Sequence, residues 1–160
     1  ILFIPEKAKG VWGDALAAGT AKRDPSLGPL QVSAGGVLAI GEGEEVRQVR
    51  ELARPMVALY VGGMGAKGRN FYNSLARRYG YEKEAEEIQN LYLDGKKKEA
   101  EALVPDELLE SLSLVGPEGA VAERIAAMRE AGVTQLQVTP VPVGEQTAAG
   151  LIAKVKELAG

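Results

Sequence analysis

Apolar and polar residues alternate along this chain in two different rhythms. The three-to-four spacing of a helix with one buried face runs through Ala8, Val11, Trp12, Ala15 and Leu16. It follows Pro5, whose missing N–H is harmless at a first helical position, and Gly19 is a plausible stop. The same spacing returns at Val46, Val49, Leu52, Ala53 and Met56, where Pro55 is expected to kink or end the helix. It recurs at Ala85, Ile88, Leu91 and Tyr92, then at Val121, Ile125 and Met128 behind Gly116-Pro117, and last at Ala148, Leu151, Ile152, Val155 and Leu158. The two-residue rhythm of a strand marks Leu30 to Ile40, with Leu30, Val32 and Ala34 opposite Gln31 and Ser33, and with Gly35-Gly36 as a break. It marks Val133 to Thr139 as well, with Leu136 and Val138 opposite Gln135, Gln137 and Thr139. Ile1 to Ile4 is a short continuous apolar run of the kind that ends a buried strand.

Between Gly62 and Ser113 no strand pattern occurs, while 69–79, 82–93 and a segment opened by Pro105 are helical. The chain therefore reads as a single domain fragment over 1–160: strand and helix, strand and helix, a helical insertion of about 62–113 with a further helix, then strand and helix. That order predicts an α/β fold with parallel strands and crossover helices. Parallel strands are usually apolar on both faces, yet two strands here carry a polar row. The rows suit the lumen of a barrel, near whose carboxyl-terminal mouth such folds keep their sites; the alternative is the solvent face of an antiparallel sheet. Three strands cannot close a TIM (β/α)8 barrel, so the expectation is its C-terminal portion.

Composition narrows the chemistry. With 46% apolar residues the chain can build a core. Its 19 basic and 22 acidic residues give no basic excess for a nucleic-acid partner, and Lys96-Lys97-Lys98 reads as a solvated helix face. Cysteine and histidine are both absent, which removes disulfides, thiolate metal sites, thiol nucleophiles and every Ser-His-Asp triad. No metal site is expected. The missing cysteine fits a cytoplasmic setting. No apolar run reaches the roughly 20 residues of a membrane helix, and the start Ile1-Leu2-Phe3-Ile4-Pro5 lacks the basic lead of a signal peptide. It reads as a chain entered in mid-strand.

One short motif has a mechanism attached. Gly63-Met64-Gly65-Ala66-Lys67-Gly68 fits G-x-G-x-x-G, which after a strand and before a helix would bind a dinucleotide pyrophosphate. Its context argues against that, because the segment ahead continues a helical pattern and no strand follows. A glycine loop leading into a helix is the expectation. Lys67 and Arg69 flank the loop and have the charge to hold a phosphate or carboxylate. Phe71 and Tyr72 suit a pocket wall or the core, and Trp12 suits packing. Asp14, Glu42 and Glu118 have no spacing that forces a shared proton or metal, so no catalytic residue is assigned.

Several segments carry a resemblance to a known family. They are Ile4-Pro5-Glu6-Lys7 with Val11-Trp12-Gly13, Ala58 to Gly65, Asn70-Phe71-Tyr72-Asn73, and Ser113-Leu114-Val115-Gly116-Pro117-Glu118. Ala131-Gly132-Val133-Thr134 and the strand behind it complete the set. Together these resemble the luciferase-like monooxygenase superfamily in its coenzyme F420-dependent branch. The resemblance implies a TIM barrel of which this chain supplies roughly the last three strands and the insertion. It implies hydride transfer between a deazaflavin and a small-molecule organic substrate, with FMN as the alternative cofactor. It places Ile4 and Pro5 at the cofactor, and Gly63, Lys67, Arg69, Tyr72 and Thr139 on the substrate side. The family's early strands and phosphate-binding segment have no counterpart here, so the missing N-terminal half of the barrel is the implied partner. A half-barrel without enzymatic activity is the other reading, and its open edges favour a homodimer.

Overall fold

The computed structural model describes residues 2–160. Three parallel strands, β1 (Ser33–Ile40), β2 (Leu114–Gly116) and β3 (Gln135–Pro140), form one sheet in the order β2-β1-β3. β3 pairs with the first six residues of β1, Ser33 opposite Gln135 through Leu38 opposite Pro140. β2 pairs with the last three, Leu38 opposite Leu114 through Ile40 opposite Gly116. The parallel α/β expectation holds. A barrel built in chain order would set β2 between the other two strands; instead β1 is central, because its two halves are paired on opposite edges.

One face of the sheet is covered by α8 (Glu118–Glu130) and α9 (Ala148–Ala159). Leu38, Ile40 and Leu114 meet Val121, Ile125 and Met128 of α8 and Leu151 and Val155 of α9, with Leu136 and Val138 half-buried at the margin. The helical spacing of Val121, Ile125 and Met128 is therefore the core stripe the sequence implies, and Gly132 at φ 89° ends the turn that follows.

Between β1 and β2 the chain is helical. It runs through α2 (Glu44–Gln48), a 3₁₀ turn (Val49–Ala53), α3 (Arg54–Ala58) and a π turn (Leu59–Gly63). Next come α4 (Phe71–Arg78), α5 (Glu82–Leu93), α6 (Lys97–Ala102) and α7 (Asp106–Ser111). Val57, Val61, Leu75, Tyr79, Ile88, Val104 and Leu109 form a second core here, which also takes Leu2, Ile4 and Val11 from the start of the chain.

The structure corrects several expectations, among them a buried Ala15 and Leu16, both of which are exposed, and a helix stop at Gly19, which the first helix passes. Residues 2–4 form no strand: Ile4 is the N-cap of α1 (Pro5–Ala21), and Leu2 and Ile4 are buried in the insertion's core; Ile1 lies outside the described residues. The first sheet strand starts at Ser33, not Leu30, and runs unbroken through Gly35-Gly36. Leu52 and Met56, placed on a buried face by a regular 3.6 spacing, are 61% and 44% exposed. Pro55 cannot donate to the turn before it, the backbone tightens to 3₁₀ over Val49–Ala53, and the larger angle per residue swings the stripe outward. The short β2 was not foreseen, since three residues carry no period.

Arg54 ties the irregular run to α7. Its guanidinium donates to Glu51, to Asp106 and to the Val104 carbonyl. The Arg54 bond holds the Glu51 carboxyl below its ordinary value. A depressed carboxyl contributes stability above its unfolded pKa and loses it as pH falls through the folded one. Arg54→Ala is thus expected to cost about 1–2 kcal/mol near neutral pH. It should also flatten a part of the acid limb worth about 0.5 kcal/mol, since Glu51 is half exposed. Denaturant titrations at pH 7 and pH 3.5 check both.

Candidate functional site

The open face of the sheet carries the polar row. Gln135, Gln137 and Thr139 point away from α8 and α9 and are exposed, with Thr139 opposite Val37 in register. β1 offers glycine beside them because nothing larger fits. A Cβ on Gly35 would lie 1.8 Å from the Gln137 carbonyl oxygen, and one on Gly36 would lie 2.1 Å from that of Leu112. At the carboxyl ends of the strands, Gln146 donates to the Ile40 carbonyl at 2.7 Å, and Thr147 caps α9 by accepting from Gly150 N–H. Ile40, Glu118, Gln146, Thr147 and Lys154 border a hollow of about 290 Å³ there.

The glycine loop is not a dinucleotide site. Val57 to Val61 is helical, so no strand precedes it. Its glycines serve packing: a Cβ on Gly62 or Gly63 would approach the Tyr92 side chain to 2.5 Å, and one on Gly65 the Arg69 carbonyl oxygen to 2.8 Å. α4 then starts from Asn70, which is 2% exposed. Its side-chain oxygen accepts from Tyr72 and Asn73 N–H, and its amide donates to the carbonyls of Tyr60 and Val61 at the end of the π turn. Asn73 donates to the Val61 and Ala85 carbonyls and accepts from Arg77 Nε at 2.9 Å. The sequence reading missed this buried network. An asparagine three residues before a second one at a helix start was the available signal.

The residues singled out from the sequence do not converge. Pro5 lines a groove of about 430 Å³ between α1 and α8, with Trp12, Leu16 and Ala127. Ile4 lines another of about 420 Å³, with Arg50, Ser113 and Arg124. Lys67 lines a third of about 450 Å³. Arg69 is exposed and its backbone N–H closes the loop onto Ala66 at 2.9 Å. Gly63 lies under the Tyr92 ring. Tyr72 is half-buried between Tyr60 and Phe71, edge-on to both at 4.6 and 5.3 Å. Trp12 extends that row, 6.0 Å from Phe71. It also donates to Tyr79 Oη at 3.2 Å, and Tyr79 in turn donates to the Leu2 carbonyl at 2.8 Å. Burial pushes the Tyr79 hydroxyl above its ordinary value, which suits a structural donor. Among the described residues no group of acids could hold a metal ion, and no helix is long and apolar enough to cross a membrane.

The architecture and these segments have known counterparts. A Mycobacterium tuberculosis protein named as a coenzyme F420-dependent oxidoreductase is 38% identical over 106 residues, 66% of this chain and 28% of its own length. The structure of the coenzyme F420-dependent tetrahydromethanopterin reductase of Methanopyrus kandleri superposes with a TM-score of 0.51 at 25% identity, over 76% of this chain and 32% of that one. The chain thus spans under a third of either relative. The profile described as luciferase-like monooxygenase matches residues 1–135, from the segment before α1 to the first residue of β3. A match over most of the chain, agreeing with the resemblance read from the residues alone, shows that this chain belongs to the luciferase-like monooxygenase family.

Proposed function

We propose that this chain is the C-terminal portion of an F420-dependent oxidoreductase with a TIM-barrel fold and the helical insertion, acting on a small organic substrate. The observation that carries this reading is the agreement of two relatives, one found by sequence and one by fold, each named for coenzyme F420. The two faces of the sheet support it, while its strand order, with β1 central, is not that of consecutive barrel strands. One face is sealed by α8 and α9, while Gln137 and Thr139 stand exposed on the other, as side chains lining a lumen would.

The donor set suits a deazaflavin. Exposed carboxamide and hydroxyl groups can bond the polar edge of such a ring, while histidine and cysteine, absent here, are not needed to carry a hydride. The bound deazaflavin would supply the hydride-carrying centre. The chain's own part is to orient substrate from Thr139 and Gln137, the exposed polar groups of the open face. Ile4 and Pro5, both buried, fix the start of α1.

The full-length protein is expected to bind F420, read as quenching of deazaflavin fluorescence, and Thr139→Val to lower kcat/KM about tenfold without a change in unfolding midpoint. Uptake of FMN with no response to F420 would replace this reading by a flavin monooxygenase. No binding of either by a well-folded protein would leave a barrel module without this chemistry.

A further inference from the structure

The third hollow has a composition the oxidoreductase reading does not use. Its lining is nearly all polar, with Lys67, Asn70, Asn73, Arg77, Glu86 and Gln89 among it, and its volume is about 450 Å³. Its floor is rigid. Asn70, Asn73 and Gln89 are 2%, 5% and 4% exposed, and each is bonded to backbone carbonyls: Asn70 to Tyr60 and Val61, Asn73 to Val61 and Ala85, Gln89 to Gly65 at 3.3 Å. Asn70 and Asn73 satisfy carbonyls of the π turn, and π turns recur at functional positions.

Its walls carry two cations against one carboxylate. Arg77, which lines the hollow, is held through Nε by Asn73 Oδ1 at 2.9 Å. One of its terminal nitrogens is 3.7 Å from Glu86 Oε2, beyond hydrogen-bond reach, and Glu86 is 62% exposed. Lys67 takes part in none of the ion pairs formed among the described residues. A hydrogen-bonded guanidinium and an ammonium outside all of these ion pairs, lining one polar hollow, are groups that recognise an oxyanion.

We propose that this hollow binds the oxyanion group of a small molecule, a phosphate ester or a carboxylate, between Lys67 and Arg77. The sequence pointed to the loop's two cations, Lys67 and Arg69; the fold pairs Lys67 with Arg77 instead and leaves Arg69 outside. At about 450 Å³ the hollow has room for a ligand larger than its charged group.

The test uses the full-length protein without any deazaflavin. Inorganic phosphate and succinate are each titrated at constant ionic strength while the thermal midpoint is followed. One of them is expected to raise the midpoint saturably, and which one does so distinguishes the phosphate from the carboxylate source. Lys67→Ala should weaken that apparent affinity about tenfold with an unchanged midpoint in the absence of anion, whereas Lys22→Ala, at the far end of α1, should not. A lack of response to both anions, or equal responses of the Lys67 and Lys22 variants, overturns the proposal. F420 quenching by the Lys67→Ala protein should match that of the parent, so failure here and failure of the oxidoreductase reading are told apart.

Discussion

Gly36→Ala is expected to remove about 3 kcal/mol or more of stability, one of the largest effects a single methyl group can have in this chain. The added Cβ would sit 2.1 Å from the Leu112 carbonyl oxygen and 3.2 Å from its carbon. Neither is the tip of a side chain that could swing aside. Leu112 leads directly into β2, whose entire pairing with β1 is three residues long, so a backbone retreat there strips one edge of the sheet. Gly35 is confined from the other side by Gln137, and β1 therefore cannot slide away from Leu112 to make room. Urea titration followed by far-ultraviolet circular dichroism measures the loss. Gly19→Ala is the control: it lies in α1 with nothing within 4 Å of its Cβ position, and it should be neutral or raise stability by up to about 1 kcal/mol. Equal midpoints for Gly36→Ala and the parent would mean that the close approach of Leu112 is not present in solution.

Asn70→Ala is the second large effect, expected at about 2–4 kcal/mol. The substitution removes a helix cap, typically worth about 1 kcal/mol. It also strands the Tyr60 and Val61 carbonyls, which the asparagine amide satisfies at 2.9 and 3.0 Å in a place water barely reaches. The two parts can be separated. Asn70→Ser keeps an oxygen that can accept from Tyr72 or Asn73 N–H but cannot span to the π turn, so it should recover only the cap's share. Hydrogen exchange gives the local reading. Amides of α4 should lose protection in Asn70→Ala and keep most of it in Asn70→Ser. Full protection in both variants would refute the assignment of Asn70 as the joint between the π turn and α4.

How much of this was legible beforehand depends on the element. Helices whose apolar residues keep one spacing for three turns or more were readable: Glu82–Leu93 has the bounds its pattern implies, and Val121, Ile125 and Met128 are the buried residues of α8. Strand β3 was readable because alternation survives when one face is open. Leu52 and Met56 were misplaced because Pro55 changes the turn geometry ahead of itself, and a fixed period cannot register that. A short apolar run looks alike whether it enters a sheet or a helical core, and Leu2 and Ile4 enter the core. For the site, the sequence identified the glycine loop and its cations but not their pairing, since Arg77 reaches Lys67's hollow only through the fold of α4 onto α5. Thr139 was placed on the correct strand face because alternation alone determines that.

The pairing of β1 with β3 has a consequence in time. Val32 and Thr134, bonded just ahead of that ladder, are 102 positions apart. A ribosome adding about 5–20 residues per second would deliver β3 roughly 5–20 s after β1. Throughout that interval the central strand has lost the shelter of its longest neighbour, while the intervening helices, with mostly local contacts, can collapse early. Nascent β1 is thus the stretch of this chain most open to pairing with a wrong strand, and its two glycines, poor at holding an extended edge for a stranger, are suited to that wait.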